Sequence, residues 1–257
     1  MKLRTLPILL ILSLLLAACA NQSDQSSDTE STPEKAYTLT PFTTSHSFPD
    51  AAITSMEYVN GTFNFGIGGE TFQLGVQTPD AAAKGCANSA QGQHIHLIVD
   101  NLPYAAKYEA TFDYEIPDGE HYILAFLSRS YHESIKTRSA HIAVKATVQN
   151  NSFTGSQPID QPMLFYSRPK GVYTGTADTE RVMLDYYLVN ADPAEYTVEA
   201  NINGEVHTLD SWQPYYIEGL PAGDNTITLT LLKDGERVQT DLNPVSRKFV
   251  LNPDPEG

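Results

Sequence analysis

From Tyr37 onward the chain consists of short runs of β-branched and aromatic residues, cut apart by Gly, Pro, Asn and Asp. No stretch holds a 3.6-residue apolar period long enough to predict an amphipathic helix, so the cadence predicts an all-β fold. Strands are expected at 53–58, 61–67, 71–77, 94–99, 108–114, 121–128 and 140–148. A second set is expected at 163–166, 182–189, 196–202, 205–209, 215–218, 225–232 and 247–251. Asn60-Gly61 carries the signal of a two-residue hairpin turn. Residues 79–92 read as a long loop that holds Cys86. Strand spacing of this kind predicts two tandem immunoglobulin-like β-sandwich domains, at 37–150 and 151–257.

The two halves align with each other. Tyr114-Glu115-Ile116-Pro117-Asp118-Gly119-Glu120-His121 lies opposite Glu218-Gly219-Leu220-Pro221-Ala222-Gly223-Asp224-Asn225, and each runs into a long apolar strand. Upstream, 97–101 matches 200–204. The repeat supports tandem sandwiches.

The alignment isolates the histidines. Six of the seven, His46, His94, His96, His121, His132 and His141, lie in the first half. His94 and His96 fall opposite Thr197 and Glu199, His121 opposite Asn225 and His132 opposite Glu236. The second copy therefore keeps the scaffold pattern without them. Residues two apart on a strand point to the same face about 6.6 Å apart, so His94 and His96 can converge on one ion. His121 opens a later strand and His132 lies in the loop after it. These four, with Cys86 as a possible thiolate, form the expected metal site, and imidazole and thiolate ligands suit copper or zinc. The bland alternative makes His94 and His96 hydrogen-bonded strand residues, and His121 the cap of a turn carbonyl. His46 and His141 are expected to be structural.

The N-terminus reads as a leader. Lys2 and Arg4 precede an apolar run over 6–18 that is too short to span a bilayer comfortably. Leu16-Ala17-Ala18-Cys19 resembles the lipobox read by lipoprotein signal peptidase. The resemblance implies a signal peptide over 1–18 and lipidation of Cys19, which would anchor the chain stably to a membrane. Ala20, where Asp would favour inner-membrane retention, implies the outer membrane, on either its periplasmic or its outer side. Residues 19–36, polar and partly acidic, have the composition of a disordered tether. With Cys19 lipidated, Cys86 has no partner for an intramolecular disulfide.

The formal net charge is −15, from 16 basic and 31 acidic residues. Cleavage after residue 18 would remove Lys2 and Arg4 and make the chain more acidic still. Such a surface argues against nucleic acid as a partner. There is no Gly-rich phosphate loop, G-x-S-x-G elbow, HExxH helix or CxxC pair. Asp113 and Glu115 are expected on a solvated strand face. Trp212-Gln213-Pro214-Tyr215-Tyr216 would serve either as an exposed platform for a glycan or peptide or as a sandwich corner.

The stretch Gly92-Gln93-His94-Ile95-His96-Leu97-Ile98-Val99-Asp100 is similar to the G-x-H-H-H-L-L-I-D signature of a bacterial periplasmic domain family of unknown function. In that family a later Gly-x-His strand and a histidine-bearing loop follow; Gly119-Glu120-His121 and Tyr131-His132 look like them. Ile95 stands where that family has its middle histidine. Over most of the chain, including 165–171, the sequence also resembles a group of Bacteroidetes-type lipoproteins often labelled phosphopeptide-binding, although Arg129, Lys136 and Arg138 make only a small basic cluster. Three functional classes follow: an envelope lipoprotein holding copper or zinc; a lipoprotein that binds a protein, peptide or glycan partner without metal; and an enzyme using the same metal with an open position.

Overall fold

The computed structural model describes residues 37–253. The expected signal peptide (1–18), lipidated Cys19 and tether (19–36) lie outside these residues. The described chain is almost entirely strand. The first strands are β1 (Thr38–Pro41), β2 (Ala52–Val59), β3 (Thr62–Gly68), β4 (His94–Val99), β5 (Ala105–Lys107), β6 (Thr111–Asp113), β7 (Gly119–Ser128), β8 (His141–Gln149) and β9 (Ser152–Pro158). They are followed by β10 (Met163–Arg168), β11 (Gly171–Thr174), β12 (Arg181–Val189), β13 (Tyr196–Ile202), β14 (Glu205–Leu209), β15 (Tyr215–Glu218), β16 (Gly223–Lys233), β17 (Glu236–Arg237) and β18 (Val245–Asn252). Among the described residues the only α-helix is Thr176–Thr179.

The fold is all-β, of the immunoglobulin-like sandwich class that the sequence predicts. In the first sandwich the sheet β2-β3-β6 faces the sheet β5-β4-β7-β8-β9. Tyr58, Phe63, Ile95, Leu97, Ile123 and Ala125 fill the space between them. In the second, β1-β15-β12-β10 faces β11-β18-β16-β13-β14 over Leu164, Tyr166, Leu184, Val198, Leu229 and Phe249. The orders β5-β4-β7-β8 and β14-β13-β16-β18 correspond, which gives the internal repeat a structural counterpart. Asn60-Gly61 makes its hairpin with φ of 51° and 81°, the left-handed pair that this turn requires.

Strand pairing crosses the expected boundary at 150/151 in both directions. β1 pairs with β15 of the second sandwich, and β9 hairpins back onto β8 of the first. The described residues, 37–253, belong to one compact unit. A third apolar layer joins the sandwiches, in which Ile98, Tyr104, Leu124 and Phe126 meet Met163, Phe165, Tyr187 and Val189. β4, β10 and nearly all of β12 are therefore buried on both faces, which explains their continuous apolar texture.

One expected strand is not formed. Residues 71–77 run as an irregular loop. The Asp50 carboxylate accepts from the Glu70 and Thr71 amides and the Thr71 hydroxyl, and this bends the entry to the segment. Phe72 turns into the first core. Of the expected strand at 108–114 only β6 forms, and β5 lies just before that range.

Candidate functional site: a three-histidine cluster between the sandwiches

β4 alternates. Ile95, Leu97 and Val99 enter the first core, while His94, His96 and Ile98 point away from it, toward the second sandwich. The two histidines are fully buried. His132 arrives from the loop after β7, where its backbone takes φ +70°, a conformation that a non-glycine residue adopts at a cost. That loop is pinned on several sides. The Arg129 guanidinium donates to the His46 carbonyl and pairs with Glu133, and the Ser130 amide donates to Thr78 Oγ1. The Asp185 carboxylate, buried on β12, accepts from the Ser134 amide and pairs with Lys136 at 2.5 Å.

Three nitrogens converge. His94 Nε2 lies 2.8 Å from His96 Nε2 and 3.0 Å from His132 Nδ1, and the last two are 3.4 Å apart. Nitrogens about 2.05 Å from a tetrahedral ion stand about 3.3 Å from one another, so the cluster is close to metal-ligating dimensions. The far nitrogens fit as well. His94 Nδ1 donates to the Gly92 carbonyl at 2.8 Å, which leaves the lone pair of the neutral ring on Nε2, inside the cluster. His96 Nδ1 lies 3.3 Å from Ser167 Oγ. Such outer hydrogen bonds orient ligating imidazoles. The Tyr104 ring stacks on His96 at 3.6 Å and 11°, and its hydroxyl reaches His132 Nδ1 at 3.3 Å.

All three rings are held neutral. Burial pushes the His94 imidazole down to about 4, and the Arg168 and Lys170 cations add to this. His96 and His132 lie well below the ordinary imidazole range for the same reasons, burial first. Neutral imidazole is the form that binds a metal.

The other expected ligands are elsewhere. His121 sits seven residues along β7 from Ser128, the partner of His94, which is about 23 Å of extended strand. Its Nδ1 lies 2.6 Å from the Asp100 carboxylate, and its Nε2 is 2.8 Å from the Pro117 carbonyl oxygen. The second half repeats this arrangement with amides: Asn225 donates to the Pro221 carbonyl and accepts from Asn203. Asp100 and Asn203 in turn accept from the amides of Tyr122 and Thr226. His121 is therefore a turn clamp at a position that the scaffold does use. Cys86 packs with Phe42, Tyr131, Met183 and Tyr216, and burial pushes its thiol up to about 11. His141 rests on Tyr187, and His46 on Phe48. The sequence does not mark Tyr104, Ser167 or Arg168 as site residues: Ser167 and Arg168 lie in the aromatic segment 165–171, which stands out only through a resemblance, and nothing in the local sequence singles out Tyr104.

No family model matches the chain, and no curated protein matches it. Among solved structures it is similar to the fibronectin(III)-like modules of Clostridium thermocellum CbhA, at 12% identity over 84% of this chain and 94% of that one, with a TM-score of 0.29. It is also similar to the extracellular domain of the hybrid two component system BT3049 from B. thetaiotaomicron, at 11% identity over 79% of this chain and 38% of that one, with a TM-score of 0.28.

Proposed function

We propose that this protein is an envelope lipoprotein that holds one transition-metal ion, copper or zinc, on His94, His96 and His132. The observation that carries the reading is the convergence of three neutral imidazole nitrogens within 3.4 Å of one another in a buried layer. Three bare lone pairs packed this closely repel unless a proton or a cation lies between them. Burial of His94 and His96 favours holding an ion over turning over a substrate, because a reactant would need a path to the metal. The lipobox at 16–19 supports lipid attachment at Cys19 and a place at the outer membrane.

Elemental analysis of the protein purified without a histidine tag tests the reading. About one equivalent of copper or zinc is expected in the parent. The His94→Ala/His96→Ala variant, and separately His132→Ala, should lose it while keeping the strand-rich circular dichroism spectrum. No metal in the parent after incubation with Zn²⁺, and with copper as both Cu²⁺ and ascorbate-reduced Cu(I), would overturn it and leave a partner-binding scaffold.

A further inference from the structure

We infer, building on the metal-holding reading, that the site selects a singly charged ion, Cu(I), over dications such as Zn(II). All three ligands of the cluster are neutral imidazoles; no carboxylate or thiolate joins them among the described residues. An ion bound there keeps its whole charge, in a place where His94 and His96 have no contact with solvent. Burying charge without a compensating partner is costly, and the Born cost rises with the square of the charge.

Two further cations flank the cluster. Arg168 is buried, and its guanidinium donates to the Tyr173 hydroxyl at 2.9 Å and to the Tyr131 carbonyl at 3.4 Å. None of these partners is an anion, and no described carboxylate pairs with Arg168. Its chain neighbour Ser167 touches His96, and Tyr131 directly precedes His132, so the guanidinium lies just behind the ligand shell. Lys170 Nζ stands 4.1 Å from the centre of the Tyr104 ring. One face of that ring is taken by His96, so the ammonium covers the other. Both stand close enough to oppose positive charge placed among the three rings. They oppose a dication twice as strongly as a monocation.

Coordination preference runs the same way. Zn(II) seeks four ligands, whereas Cu(I) is content with three. The group that stands beside the cluster as a fourth ligand is the Tyr104 hydroxyl, 3.3 Å from His132 Nδ1, and it is neither a carboxylate nor a thiolate.

The test measures two affinities on the full chain under anaerobic conditions. Cu(I), kept reduced by ascorbate, is competed against bicinchoninate, and Zn(II) against a chromophoric zinc chelator. Cu(I) should bind tighter by about a hundredfold, and Lys170→Gln should narrow that ratio about tenfold by improving Zn(II) binding. Arg168→Gln should narrow it further; if that buried variant fails to fold, Lys170→Gln alone decides. Equal or tighter Zn(II) binding by the parent, or an unchanged ratio in Lys170→Gln, overturns the charge selection and leaves the metal site standing. Failure of the parent to bind either ion overturns both.

Discussion

At His132 the backbone is left-handed, a conformation that costs an ordinary residue about 1 kcal/mol more than glycine. The metal-free His132→Gly variant should accordingly be about 1 kcal/mol more stable than His132→Ala in denaturant titration, and both should lose the ion. Equal stability would mean that the loop relaxes and carries no strain. His121 makes the complementary case. His121→Asn alone would set an amide oxygen against the Asp100 carboxylate and should destabilise the fold. The double variant His121→Asn/Asp100→Asn recreates the Asn225–Asn203 clamp and should recover most of the loss, with metal content unchanged. The buried histidines also set an acid limit. An unfolded imidazole takes up its proton near 6.5, whereas folded His94 resists until about 4. The unfolded chain therefore binds more protons in that window. Stability of the metal-free protein should be complete above pH 6.5 and fall as the pH drops from there toward 4. His94→Ala should flatten the slope of melting temperature against pH.

At the scale of elements, the loop from Arg129 to Lys136 turns a strand pair into a three-membered site. Its anchor is Asp185, which has no exposed surface and pairs with Lys136. Asp185→Asn leaves that ammonium without its carboxylate and should cost about 3 kcal/mol, with a weaker hold on the metal. A stable variant with full metal affinity would show that the remaining ties suffice. Much at this scale was legible beforehand. The strands at 94–99, 196–202, 205–209 and 215–218 match expectation to the residue, because they end at the turn formers Asp100, Asn203, Asp210 and Gly219. The His94/His96 pair was legible from its two-residue spacing. β1, β9 and β11 were not, because edge strands such as Ser152–Pro158 are largely exposed and carry polar residues with no alternation to read. The choice of His132 over His121 was not legible either. Both follow a Gly-or-loop signal near β7, and only the sheet register puts one beside His94 and the other at the far end. Tyr104, Ser167 and Arg168 reach the cluster through packing between sandwiches, and local sequence carries no record of that.

For the whole molecule, the layer around Phe126, Phe165 and Tyr187 makes the two sandwiches one thermodynamic body. Calorimetry should show a single transition, and Phe126→Ala, which removes a fully buried ring, should lower it at a cost of about 3–5 kcal/mol. Two separate transitions would mean that the sandwiches stand independently. The pairing of β1 with β15 has a further consequence for how the chain is made. Thr38 and Glu218 face each other across a ladder although they are 180 residues apart in sequence. On a ribosome, or on a chain threading through a membrane pore, the earliest strand to emerge must wait for one of the latest. Closure over such a span is slow, and until it happens the edge of β15 stays open. β1, the first of the described strands in chain order, can join its sheet only after β15 has emerged.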